Sequence, residues 1–88
     1  SSSFKNLRQA ELVISEVLSV KRTQIEYALK YSHARTTLVY AHKFNFPIGT
    51  YIERGATEVK KAYGVRIVIR PTTFNGKQYY LVTAFPTP

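Results

Sequence analysis

Two histidines and two arginines are the side chains of this 88-residue sequence whose types and spacing suggest chemistry. His33 and His42 are its only imidazoles, and an imidazole is the natural general acid or base near neutral pH. Neither has an acidic neighbour in sequence, so a solvated surface role is the simpler interpretation. Arg66 and Arg70 share one face of a β-type run. They could form a phosphate clamp, or they could be the solvent face of an antiparallel sheet.

The residue types that are absent narrow the chemistry further. The chain has no Cys and no Asp, which excludes a thiol nucleophile, a disulfide and a Ser-His-Asp triad. With two histidines as the only nitrogen ligands, we expect no transition-metal site and no cofactor. No apolar run approaches the roughly 18 residues that a membrane span needs.

The charge of the chain points to an anionic partner. The net charge is +8, and the excess is shared equally: seven basic against three acidic residues in positions 1–44, and six against two in positions 45–88. The whole domain is therefore basic, in contrast to a neutral domain with a basic tail. Such a field favours a polyanion or an acidic protein, although basic residues can also merely solvate a surface.

The closing segment predicts a long β-hairpin. Asn75-Gly76 is the strongest short signal for a two-residue type I′ turn, because both central positions need φ > 0. Val65–Arg70 and Tyr79–Phe85 flank it as β-branched and aromatic runs, and we expect the prolines after Phe85 to end the pairing. Thr83 then shares a strand face with Phe85, and by itself it is simply a good strand former.

The first part of the chain predicts two helices and some shorter strands. Apolar residues at spacings of three and four indicate one helix from Leu7 to Leu18, capped by Asn6 or Ser3, and a second from Ser19 to about Tyr31 with Ile25 and Leu29 inward. We expect strands at 37–41 and 50–52, a turn at 54–57, and a loop or one helical turn at 58–63. Without βαβ alternation, this order predicts one α+β domain over residues 1–88, with two N-terminal helices packed on a mainly antiparallel sheet.

Several short segments together resemble a known family. The sequence is similar to the bacterial toxin domains of the ribonuclease A superfamily, the C-terminal ends of contact-dependent growth inhibition proteins and other polymorphic toxins. The similarity runs in order along essentially all 88 residues, and its most specific part is the closing Thr-Ala-Phe-Pro-Thr-Pro. The segments are Ser2-Ser3-Phe4, Gly49, Arg54-Gly55-Ala56-Thr57, Val65-Arg66-Ile67-Val68 and Thr83-Ala84-Phe85-Pro86-Thr87-Pro88.

The resemblance implies a fold, a reaction and site residues. It implies a pancreatic-ribonuclease type of α+β fold without disulfides, and metal-independent RNA cleavage by attack of a 2′-OH on the adjacent phosphate. Thr83 falls at the active-site Thr of such toxins, and Phe85 at an aromatic that lines the site. We add Arg66, Arg70 and His42 as expected substrate-binding residues. The family's catalytic His and its basic partner belong to a segment upstream of Ser-Ser-Phe, which nothing here matches, so we expect this chain to lack that segment.

The resemblance also implies partners and a location. A toxin of this kind would cleave RNA, with tRNA as one candidate, in the cytoplasm of a target bacterium after delivery as part of a larger protein. A cognate immunity protein would block it, and the charge predicts that this inhibitor is acidic. We expect the domain itself to be a monomer. The alternative is a non-catalytic basic module that binds RNA or an acidic protein.

Overall fold

Two helices and two three-stranded antiparallel sheets make up the computed structural model, which describes residues 1–88. The smaller sheet has the strand order β1-β3-β4 and the larger has the order β2-β5-β6. The α+β architecture predicted above is confirmed, although the strands form two sheets. In chain order the elements are β1 (Ser2–Ser3), α1 (Leu7–Val20), α2 (Arg22–Tyr31), β2 (Leu38–Lys43), β3 (Gly49–Tyr51), β4 (Lys60–Ala62), β5 (Gly64–Phe74) and β6 (Lys77–Thr87).

The long closing hairpin forms as predicted. Asn75 and Gly76 both have positive φ, at 51° and 74°, which is the conformation of a type I′ turn. β5 and β6 pair along their whole length, from Phe74 opposite Lys77 to Gly64 opposite Thr87. The expected stop after Phe85 is wrong, because Pro86 stays in register opposite Val65. A proline is tolerated there because β6 is an edge strand, where a missing N–H need not break a ladder.

The two helices follow one another almost without a break. Asn6 caps α1, its Oδ1 accepting a hydrogen bond from the backbone N–H of Gln9 at 2.8 Å. The predicted boundary at Ser19 is wrong: α1 runs to Val20, and Lys21 ends one helix and starts the next with φ −93° and ψ 6°. No Gly or Pro marks this junction, so periodicity alone could not locate it. Leu29, expected to point inward, is 42% exposed.

The smaller sheet contains two strands that the sequence did not predict. Ser2–Ser3 pairs with β3, and Lys60–Ala62 pairs with the other side of β3, where a loop or helical turn was expected. Both strands are very short and lack the alternation of apolar and polar residues that identifies a strand. They are strands because β3 is available as a template, which is a tertiary cause.

The core lies between α1 and the inner face of the larger sheet. Apolar side chains of α1 meet those of β5 there, together with Ile48, which precedes β3, and partly buried residues of β2 and α2 pack around them. The buried cluster consists of Val13, Val17, Ile48, Val65, Ile67 and Ile69. Neither helix is long and apolar enough to cross a membrane.

Candidate functional site: the open face of the large sheet

One face of the larger sheet carries no helix and is exposed to solvent. Strand register fixes its members, because residues directly opposite one another on neighbouring strands point to the same side. Ile67 and Ile69 are buried, so the intervening side chains of β5 point outward, and their partners on β2 and β6 point outward with them. We call this surface the open face, and it comprises Val39, Ala41, Lys43, Arg66, Val68, Arg70, Leu81, Thr83 and Phe85.

Four of the five predicted site residues meet on the open face. Thr83 lies opposite Val68, Phe85 opposite Arg66, and Leu81 opposite Arg70. The two arginines therefore lie diagonally on either side of Thr83, and diagonal neighbours in a sheet are about 7–8 Å apart. Thr83 and Phe85 are both exposed, with Phe85 at 40%. Thr83 is thus an accessible hydroxyl residue, with Phe85 next to it on the same strand face and with Arg66 and Arg70 at the two diagonal positions.

Every charged side chain of this sheet is positive. β2, β5 and β6 contain Lys43, Arg66, Arg70 and Lys77 and not one carboxylate. The two ion pairs of the structure lie elsewhere: Arg22 with Glu26 at 2.9 Å along α2, and Lys60 with Glu53 at 3.1 Å. The hydrogen bond to each carboxylate raises the pKa of Arg22 and of Lys60. Arg66 and Arg70 have no such partner, so their full charge is available to an anionic ligand.

His42, the fifth predicted site residue, is on the other side of the sheet. It pairs with Val65, whose side chain is fully buried, so the imidazole points toward α1. There its ring meets that of Phe44 edge-on, with centroids 4.8 Å apart, in a groove of about 670 Å³ beside α1. The structure therefore does not bring His42, predicted to bind substrate, together with the other four residues. Its place near the end of a strand suggested exposure, but strand parity puts it on the inner face.

His33 is also remote from Thr83. It lies in the turn after α2, where its carbonyl accepts a hydrogen bond from the N–H of Thr36 at 3.0 Å. It lines a small crevice with Leu38 and Tyr80, both of which belong to the inner side of the sheet. The open face thus offers a hydroxyl, two guanidinium groups and an aromatic ring, and neither of the chain's imidazoles.

The arrangement of the site residues could have been read from the turn. Counting outward from Asn75-Gly76 pairs Phe74 with Lys77 and, six steps later, Val68 with Thr83. A two-residue turn fixes the register of the two strands, so the hairpin sequence alone places Arg66 and Arg70 beside Thr83. The register of β2 against β5 could not be predicted in this way, because no turn joins the two strands. The positions of Val39, Ala41 and Lys43 on the open face therefore had no sequence signal.

Comparison with known proteins is informative at the level of family and fold. No curated protein matches the sequence. The family model described as the bacterial CdiA-CT RNAse A domain matches residues 1–86. The chain belongs to this family. A chain of the crystal structure of a CdiA-CT/CdiI complex from Y. kristensenii 33638 superposes with a TM-score of 0.83 at 29% identity. The match covers 100% of this chain and 77% of that one.

Membership of the CdiA-CT RNase A family confirms the resemblance found in the sequence. In this CdiA-CT domain the surface around Thr83 carries two arginines and no carboxylate. No group of three or more His, Cys, Asp or Glu side chains that could hold a metal ion is present.

Proposed function

We propose that this chain is the ribonuclease domain of a bacterial toxin and that RNA is cleaved on the open face. The observation that carries the proposal is the position of the Thr83 hydroxyl between Arg66 and Arg70, in a sheet without a carboxylate. A phosphodiester is attracted to such a surface, and nothing on it repels the phosphate oxygens. The family match over residues 1–86 supports this activity.

The reaction that fits is attack of an RNA 2′-OH on the adjacent phosphorus, with the 5′-oxygen leaving. Negative charge then builds on the non-bridging phosphate oxygens. Thr83 donates a hydrogen bond to one of these oxygens, and Arg66 and Arg70 neutralise the developing charge. Phe85 packs against the nucleoside beside the scissile bond. No step needs a metal ion.

Thr83 does not act alone in this scheme. A hydroxyl of this kind has no accessible pKa for proton transfer near neutral pH, so a base must take the proton of the 2′-OH and an acid must protonate the departing 5′-oxygen. The open face supplies no imidazole and no carboxylate for this purpose. We propose that the base comes from the segment upstream of Ser1 in the parent protein. On this account the 88-residue chain binds RNA but cleaves it poorly.

The partner of the proposed toxin is a cognate immunity protein with an acidic surface. The related CdiA-CT from Y. kristensenii was crystallised with CdiI, and this chain has a net charge of +8. We further propose delivery as the C-terminal part of a larger bacterial protein and action on RNA, with tRNA as one candidate, in the target cytoplasm. The competing function, a basic module that only binds RNA or an acidic protein, predicts the same electrostatics but no cleavage.

A cleavage assay separates the two functions. The complete domain, including the segment upstream of Ser1, is incubated with total RNA in the presence of EDTA. We expect cleavage in EDTA, and we expect Thr83→Ala to lower the rate by about 10²–10³-fold, the cost of removing one transition-state donor. Thr50→Ala, an exposed strand threonine of the smaller sheet, is the matched control and should retain activity. An active Thr83→Ala enzyme would return Thr83 to the role of a strand former.

A further inference from the structure

A second cationic site lies at the edge of the large sheet, where β2 ends and β5 continues. The last pair between these strands is Leu38 with Ile69, and β5 runs on to Phe74 without a neighbour on that side. The segment that precedes β2 faces this free edge across a cavity of about 540 Å³. We call the cavity the arginine notch, and its polar lining consists of Arg35, Thr37, Arg70, Thr72, Thr73 and Gln78.

The chemistry of the arginine notch is that of an anion site. Its lining offers two guanidinium groups, three hydroxyls and one amide, and it contains no carboxylate. None of these six side chains makes a hydrogen bond or an ion pair within the protein. Two arginines that line one cavity without a counter-charge repel each other, and an anion relieves that repulsion. Guanidinium and hydroxyl donors together suit the oxygens of a phosphate group.

The notch is continuous with the open face through Arg70. The Arg70 side chain lines the notch and also lies diagonally next to Thr83. Thr72 is four residues beyond Val68 along β5, a distance of about 13 Å at the usual strand rise. A single strand of RNA held at Thr83 can cover this distance with its next phosphates. A polymer with evenly spaced phosphates can occupy the open face and the notch at the same time, whereas a small anion would occupy only one of them.

We propose that the arginine notch binds a backbone phosphate of the RNA substrate outside the scissile linkage. The inference rests on the proposed function and adds to it a requirement for substrate length. An RNA long enough to fill both the open face and the notch binds more tightly than one that fills the open face alone. Arg35 belongs only to the notch, and Arg70 serves both places.

The test uses binding, which is independent of cleavage. The 88-residue chain is titrated with 2′-O-methyl oligonucleotides, which cannot react because the attacking hydroxyl is blocked, as a dinucleotide and as a hexanucleotide. We expect Arg35→Gln to weaken hexanucleotide binding by about 5–10-fold and to leave dinucleotide binding unchanged. The slope of log K against log salt should decrease in magnitude by about 0.7, the value for one lost phosphate contact in a single strand. Thr72→Val, which removes only a hydroxyl, should weaken hexanucleotide binding less.

Arg54→Gln is the matched control, because Arg54 is an exposed arginine in the turn between β3 and β4 and should leave both affinities unchanged. Unaltered hexanucleotide binding by Arg35→Gln overturns the proposal. So does an equal loss for the dinucleotide, which indicates general electrostatics. The proposal is also overturned if Arg35→Gln weakens binding of the immunity protein but not of RNA, because the notch would then be a protein contact. Failure of the proposed function is seen separately, as absence of RNA cleavage by the complete domain.

Discussion

At the scale of single residues, the proposed site depends on what a threonine hydroxyl can do between two arginines. Thr83 can donate one hydrogen bond to a phosphate oxygen, and the arginines opposite Phe85 and Leu81 supply charge that the hydroxyl lacks. These roles are complementary, because the hydroxyl fixes a position and the guanidinium groups stabilise a charge. The chain's two imidazoles, His33 and His42, are on the far side of the sheet.

The position of His42 leads to a prediction about activity. His42→Ala should change RNA cleavage by the complete domain less than about threefold, because the ring points away from Thr83 toward α1. The measurement is the initial rate on total RNA beside that of Thr83→Ala, with circular dichroism to check folding. A folded but inactive His42→Ala protein would show that the imidazole reaches substrate and that the open face is not the whole site.

At the scale of elements, the closing hairpin determines which residues form the proposed site. Its type I′ turn sets the register, and the register sets which side chains share a face. The sequence predicted this element well because turn chemistry and strand propensity agree there. It predicted β1 and β4 not at all, because Ser2–Ser3 and Lys60–Ala62 lack the β-branched and aromatic residues that indicate a strand and form strands only by pairing with β3. The boundary between α1 and α2 at Lys21 was not predicted, because no Gly or Pro marks it in the sequence.

The turn can be tested by one substitution. Gly76→Val should destabilise the domain by about 1–2 kcal/mol, because a β-branched residue resists the φ of 74° found there. A side chain at Gly76 would meet no atom within 4 Å, so the cost arises from the backbone alone. The free energy of unfolding is measured in urea, with Asn75→Gly as a control that keeps φ > 0 accessible. Equal stability of Gly76→Val and wild type would contradict the type I′ assignment.

At the scale of the whole molecule, charge is distributed unevenly over an elongated body of 44 × 26 × 23 Å. All five glutamates lie on the helices or in the segment between β3 and β4, and the larger sheet has none. The net charge predicted an anionic partner from the sequence, but only the fold shows which surface concentrates the positive charge. Composition contains no information on how strands bring distant cations together, and so the arginine notch could not be foreseen.

The uneven charge makes a prediction for the immunity protein. Its association with this domain should slow as ionic strength rises, because exposed charges separated by more than a Debye length are screened. We expect the association rate constant to fall by about tenfold or more between low and physiological salt, with a smaller change in the dissociation rate. Stopped-flow fluorescence measures both. An association rate that ignores salt, or a neutral contact surface on the inhibitor, would show that electrostatic steering is unimportant.

Gly49 is the point where the beginning and the end of the chain meet. A side-chain carbon there would lie 2.6 Å from the Ser3 carbonyl oxygen and 2.8 Å from Pro86 Cγ, so the position has room only for hydrogen. Ser3 and Pro86 are 83 positions apart (86 minus 3), and bringing such distant segments together slows folding because a long loop must be closed. The missing side chain of Gly49 thus lets β3 contact two segments from opposite parts of the sequence, and Gly49→Ala would disturb both contacts at once.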